Sequence, residues 1–144
     1  MSRKDILNQL HRMARDNGRE VREAAAAVQT QLKDMLQRVD ASSVRRVYIL
    51  GCGSSYFGAL NMEQAFETLA GIPARGVEGF AFEAYQNMDL VDKTSLVLGF
   101  STSGETEALV HSFERCRSTD AITVAITALP RSRLGKAASE VLLP

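Results

Sequence analysis

Hydrophobic positions recur along the chain with two different periods, and the change between them divides it. Over residues 1–43 the period is helical. Residues 1–16 predict a short helix with Ile6, Leu7, Leu10, Met13 and Ala14 on one side, interrupted at Asn17-Gly18, a pair suited to a C-cap or turn. A stronger helix is expected from Arg19 to Val39, where Val21, Ala25, Val28, Leu32, Met35 and Val39 recur every three or four residues. Arg22, Glu23, Lys33, Asp34 and Arg38 fall elsewhere around that helix. Its apolar stripe suits either packing on its own domain or pairing with a second copy, and the near-heptad spacing fits both. Asp40 to Ser43 reads as a linker.

From Val44 the pattern becomes that of alternating strands and helices. Strands are expected at Arg46–Leu50, Ala74–Glu78, Thr94–Phe100, Ala121–Thr127 and Glu140–Leu143. The third is apolar nearly throughout, as a parallel strand covered on both faces should be. Between them fall a helix capped by Ser54 or Ser55 and running to about Ala70, with Phe57, Leu60, Met62, Phe66 and Leu69 as its apolar face, and one or two turns over Phe80–Gln86 around Glu83. A helix over Glu105–Arg117 points Leu109, Val110 and Phe113 inward, and a short one spans Ser132–Ala138. Gly71-Ile72-Pro73 closes the first of these helices. Crossovers of this length imply a parallel sheet with helices on both faces, a three-layer α/β fold of five strands preceded by a long N-terminal helix. The division expected is an N-terminal helical segment, 1–43, and one α/β domain, 44–144.

Two strands end in the same way. The first runs into Gly51-Cys52-Gly53-Ser54-Ser55, the third into Ser101-Thr102-Ser103-Gly104-Glu105-Thr106. Gly51, Gly53 and Gly104 keep side chains out of the backbone's path, while Ser54, Ser55, Ser101, Thr102, Ser103 and Thr106 bring hydroxyls to helix starts whose free N–H groups favour an anion. Neither loop carries a lysine or arginine, which favours a terminal phosphate held by hydroxyls and amides over a lysine-dependent phosphate loop. Capping alone is the competing reading of either loop, since Thr102 and Glu105 fit a capping box. A dinucleotide site competes as well, because Gly51-Cys52-Gly53 begins its fingerprint, with Glu78 as a ribose-binding acid. The expected third glycine is replaced by Tyr56. If the first strand is central, both loops meet where the chain reverses direction across the sheet, the place where open α/β sheets bind ligands.

Composition narrows the class little further. The chain of 144 residues is 45% hydrophobic and 24% charged, with 17 basic against 17 acidic residues. That balance gives no support for a nucleic-acid or membrane partner. Cys52 and Cys116 form neither a disulfide framework nor a metal-ligand pattern, and no metal or cofactor is expected. With no signal peptide and no long apolar run, a cytoplasmic location is expected. The sequence stops at Leu142-Leu143-Pro144, directly after a strand, as though interrupted.

At GCGSSY and FSTSGET the chain resembles the sugar isomerase (SIS) domain of phosphosugar-binding proteins, over about Arg45 to Pro144. The likeness is to the first isomerase-type domain of glucosamine-6-phosphate synthases and to fructosamine-6-phosphate deglycases. It implies a five-stranded parallel sheet and a hexose or amino-sugar phosphate as ligand. Phosphate-binding hydroxyls carry over onto Ser54, Ser55, Ser101, Ser103 and Thr106, and Thr102 stands where the synthases often have glutamine. Phe82-Glu83-Ala84 looks like the family's SEF element, which makes Glu83 a residue that orients the cleft from behind the ligand contacts. In paired-domain members a glutamate base, a histidine and a lysine come from a second domain, a C-terminal tail or a partner subunit, and neither His11 nor His111 matches a motif position. His111 is expected to be a surface or packing histidine. No cysteine follows Met1, so glutamine-dependent transfer is unsupported. The resemblance thus implies a binding domain of a sugar-phosphate isomerase or deglycase, the first of two SIS domains, with a homodimer or that second domain completing the site. A non-catalytic sugar-phosphate sensor is the alternative.

Overall fold

The computed structural model describes residues 3–144, without the side chains of Arg3, Leu10 and residues 13–15. The expected apolar positions Leu10, Met13 and Ala14 therefore lie outside the described side chains. The chain opens with α1 (Arg3–Met35), a single helix of 33 residues. Asn17-Gly18 does not interrupt it. A glycine inside a helix costs only about 1 kcal/mol, less than the backbone hydrogen bonds a break would forfeit. The helix also ends earlier than Val39, and the linker contains a short 3₁₀ turn, Ala41–Ser43, capped by the Asp40 carboxylate.

Five strands follow: β1 (Arg46–Gly51), β2 (Ala74–Glu78), β3 (Ser95–Phe100), β4 (Ile122–Ile126) and β5 (Glu140–Leu142). They pair in parallel in the order β2-β1-β3-β4-β5. The chain therefore steps outward from β1 to β2, returns past β1 to β3, and continues to the other edge. The ends of β1 and β3 are neighbours in space, which fulfils the condition, β1 lying between β2 and β3, under which the two loops are expected to meet. The crossovers are α2 (Ser54–Ala65), α3 (Gly79–Tyr85), α4 (Glu107–Cys116) and α5 (Arg133–Ala137).

Strand alternation sends two sets of side chains to the two faces. Tyr48, Leu50, Val77, Val97 and Ala125 form one core with Phe82 of α3, Leu109, Val110 and Phe113 of α4, and Leu134 of α5. Val47, Ile49, Leu98, Val124 and Leu142 form the other with Met35 of α1 and Ala59 of α2. The face expected of α2 is partly wrong. Phe57 (67%) and Leu69 (87%) are exposed, whereas Ala59 is fully buried. Close approach explains it: α2 lies so near β2 that a Cβ on Gly76 would come within 3.0–3.1 Å of the Leu60 nitrogen and the Ala59 carbonyl. Only a small residue fits there. After Ala65 the helix widens into a π turn, Phe66–Ala70, and ends on left-handed Gly71.

Side chains tie the outer elements to the sheet. Arg38 pairs with Glu140 of β5 at 2.6 Å, and that guanidinium holds the Glu140 carboxyl below the usual carboxylate range. Gln31 brackets the backbone of Leu143, donating to its carbonyl and accepting from its N–H, each at 2.8 Å. Among the described residues no helix is long and apolar enough to cross a membrane.

Candidate functional site

A cavity of about 510 Å³ opens at the C-terminal ends of β1 and β3, lined by Cys52 and Ser55 from the first loop and Phe100 to Ser103 and Thr106 from the second. Ala128 and Leu129, which follow β4, complete it. None of the described lining residues is charged.

The first loop leaves β1 at Gly51. A Cβ there would lie 2.5 Å from the backbone carbon and oxygen of Ser55, so glycine is what lets α2 start directly above the strand end. The N-cap is Gly53, in a positive-φ conformation (57°), with no side-chain cap. The structure thus corrects the expected capping by Ser54 or Ser55, which lie inside the helix. A glycine cap leaves first-turn N–H groups of α2 without a side-chain acceptor at the edge of the cavity. Ser55 faces that cavity; Ser54 is exposed beside it and does not line it.

The second loop is built differently. Thr102 and Glu105 form no capping box, because α4 starts two residues later than expected, with Thr106 as its N-cap. Ser101 is buried, its hydroxyl hydrogen-bonded to that of Thr106 at 2.8 Å and accepting the Gly104 N–H at 3.1 Å. The Ser101 hydroxyl therefore shapes the loop, and the pair shares one hydrogen bond, leaving one hydroxyl proton to direct elsewhere. Thr102 and Ser103 are exposed on the rim, with the Ser103 hydroxyl accepting the Glu105 N–H at 3.3 Å. Gly104 has φ +65° and presses on Ser132, whose hydroxyl a Cβ would meet at 2.0 Å.

The Thr127 hydroxyl and the start of α5, capped by Ser132, hold this loop from behind. Buried Thr127 donates to the Thr102 carbonyl at 3.2 Å, beside the Ala128 N–H at 3.1 Å. Buried Ser132 caps α5, accepting the Gly135 N–H, and the Leu134 N–H donates to the Gly104 carbonyl at 2.9 Å. Sequence reasoning missed both. The available signal was the strand-then-Thr, Ser-before-helix pattern of Thr127 to Ser132, a third instance of the arrangement at β1 and β3.

Glu83 does not line this cavity. It lies on α3, and its carboxylate contacts His111 Nδ1 of α4 at 2.8 Å, while His111 Nε2 lies 3.3 Å from Glu107. Glu107 in turn pairs with Arg133 of α5, whose hydrogen bond lowers the Glu107 pKa. His111 thus joins a row of polar contacts that ties three helices together behind the second loop.

Cys52 sits on the cavity wall, where burial first, and then the Glu78 carboxylate, pushes its thiol up to about 11. At neutral pH it is a thiol, not a nucleophile. Alkylation by iodoacetamide is expected to be slow at pH 7 and to accelerate only toward pH 11; mass spectrometry of Cys52 peptides over a pH series measures this. Half-maximal labelling near pH 8.5 would contradict the assignment.

Comparison with known proteins gives the fold its family. The SIS domain model matches residues 41–143. The chain belongs to the SIS domain family. Two glutamine–fructose-6-phosphate aminotransferases are among its curated relatives. That of Aquifex aeolicus is 30% identical over 113 residues, 75% of this chain and 19% of the relative. That of Bacillus subtilis is 34% identical over 98 residues, 68% of this chain and 16% of the relative. The chain therefore spans less than a fifth of these relatives. Among solved structures, the protein c3406 of Escherichia coli CFT073 superposes with TM-score 0.76 at 18% identity over 99% of this chain and 74% of that one. The C-terminal domain of glucosamine-fructose-6-phosphate aminotransferase from Francisella tularensis gives 0.65 at 22%, over 72% and 29%. At those identities the two structures speak for the fold.

Proposed function

We propose that this SIS domain binds the phosphate of a hexose or amino-sugar phosphate in the cavity between its first and second loops. The observation that carries the reading is the lining itself: hydroxyls from two separate strand ends converge at the sheet's switch point without a charged side chain. Ser55, Thr102, Ser103 and the free proton of the Ser101–Thr106 pair are the donors, with Gly51, Gly53 and Gly104 allowing backbone N–H groups to approach. Ser54 contributes from the rim. Glu83 acts at a distance, through His111, on the placing of α3 against α4.

Such a site orients its ligand and binds it uniformly, which fixes the sugar without lowering a barrier. In a sugar-phosphate isomerase or deglycase, ring opening and proton transfer between C1 and C2 would then use groups from outside this cavity. A second SIS domain or a partner copy is where we place them, and the cytoplasm is where such metabolites are met.

Isothermal titration with fructose-6-phosphate and glucosamine-6-phosphate tests the reading, with unphosphorylated fructose as the control. Saturable binding of a phosphorylated sugar is expected, with no binding of fructose. Ser103→Ala is expected to weaken it by about 1.5–3 kcal/mol, the worth of one hydrogen bond to a charged group. Affinity unchanged in Ser103→Ala and in Ser55→Ala would remove the phosphate from these loops.

A further inference from the structure

A second cavity opens at the other end of the sheet, where β1 and β2 begin. Residues two apart on a strand share a face, so Arg46 projects to the same side as Tyr48. Tyr48 stands opposite Arg75 in the parallel register of β1 and β2, which brings Arg75 to that side as well. The face is the one that packs on Phe82 of α3. With seven residues α3 extends about 10 Å, against about 16 Å for the strands beneath it. It leaves the starting ends of both strands to the chain that follows it. Arg45, Gln86 and Leu90 close the sides of the resulting hollow, which has a volume of about 280 Å³.

Its chemistry differs from that of the first cavity. Arg45, Arg46 and Arg75 line it, and none of the described lining residues is acidic. In a chain with 17 basic and 17 acidic residues, that is a local excess of positive charge. Two of the guanidiniums are anchored to uncharged acceptors. Arg46 Nη1 donates to the Leu90 carbonyl at 2.9 Å, which the Tyr48 hydroxyl also reaches at 3.3 Å. Arg45 Nη1 donates to the Ser42 carbonyl at 2.8 Å. The Arg75 side chain is exposed, with no hydrogen bond or ion pair among the described residues. Two acids are near enough to be felt, Asp40 by Arg45 and Asp92 by Arg46, but neither forms an ion pair there. Each gives an oxygen to its own turn instead, Asp40 to Ser42 and Asp92 to Thr94. The carbonyl contacts thus fix the geometry of two guanidiniums without cancelling their charge.

Like charges held side by side repel, and an anion between them relieves the repulsion. Guanidinium forks match the paired oxygens of a phosphate. We propose that this cavity is a second anion site, which takes the phosphate group of a small molecule on Arg45, Arg46 and Arg75. At roughly 30 Å³ per water in the liquid, the hollow accommodates a monophosphate or a diphosphate with part of its hydration. The six residues of β1 separate it from the first cavity by roughly 16 Å. One end of that strand offers uncharged hydroxyls and amides, the other permanent positive charge. The assignment therefore stands whether or not the first cavity holds a sugar phosphate.

Titration of the isotope-labelled chain with inorganic phosphate and with pyrophosphate, followed by its amide resonances in about 150 mM salt, tests it. The first probe stands for a monophosphate and the second for a diphosphate. Saturable shifts are expected at residues 45–48, 74–76 and 86 with at least one probe, at a Kd of about 1 mM or below. Arg75→Gln changes an exposed side chain and leaves the fold intact, as its own amide spectrum checks. It is expected to weaken binding at least tenfold, and Arg45→Gln likewise. Arg22→Gln removes the same charge from the exposed surface of α1 and is expected to leave binding unchanged. Shifts confined to residues 51–55 and 101–106 would assign phosphate to the first cavity alone and overturn the second site. Equal weakening by Arg22→Gln, the mark of unspecific attraction, also overturns it, as does binding indifferent to both Arg75→Gln and Arg45→Gln. Absence of saturation with either probe has the same consequence.

Discussion

Gly104→Ala is expected to destabilise the domain by about 3 kcal/mol and to weaken sugar-phosphate binding at least tenfold. Two costs add. The backbone at residue 104 has φ +65°, where a non-glycine residue pays roughly 1–2 kcal/mol. The new methyl would also lie 2.0 Å from the Ser132 hydroxyl oxygen and 2.5 Å from Ser132 Cβ, a fully packed direction. Relief requires the second loop to move away from α5, breaking the hydrogen bond from the Leu134 N–H to the Gly104 carbonyl. It would also disturb the Ser101–Thr106 pair that sets the cavity wall. A thermal melt should show a midpoint lower by roughly 6–12 °C, as about 3 kcal/mol implies for a domain of this size. Ser132→Gly, placed on top, removes the two shortest contacts but neither the one to Thr127 Oγ1 at 2.9 Å nor the φ penalty. The double variant should therefore lose less than the two single variants together, and strict additivity would show that the clash is not what matters.

Gly51→Ala is expected to cost at least as much, for a different reason. Its Cβ would meet the backbone of Ser55 at 2.5 Å and the Tyr56 nitrogen at 2.7 Å, and backbone cannot rotate aside as a side chain can. The start of α2 must lift from the end of β1, although Ala59 of that helix is fully buried in the core shared with Val47 and Ile49. Overpacking of this kind costs about 1–3 kcal/mol where side chains yield, and more where they cannot. Against a total stability of about 5–15 kcal/mol, the variant is expected to populate unfolded chain measurably at 37 °C. Urea titration checks it. A midpoint within error of the parent would mean that α2 is free to shift, and the first loop would then not be a fixed wall of the site.

The two glycines show how far the site was legible. GCGSS and STSGET single out both loops as candidates for a ligand, and the structure brings residues of both to one cavity. The division of labour among the hydroxyls was not legible. Ser101 and Ser103 are two residues apart in the same loop, yet one is buried in the loop's own hydrogen bonds and the other lies exposed on the rim. Thr127 and the Leu134 N–H hold the second loop from more than 20 residues away, a relation created by the pairing of β4 with β3.

By itself the sequence determined the strands, the parallel order of strand and helix, and the two loops that close on the cavity. Those follow from local periodicity and from residues whose backbone or hydroxyl chemistry acts over a few positions. The tertiary structure decided what depends on distance through space. Ala59, not Phe57 or Leu69, faces the sheet because α2 lies too close to β2 for a larger residue. Helix α1 runs through Asn17-Gly18 because one glycine is a small penalty against a continuous ladder of backbone hydrogen bonds.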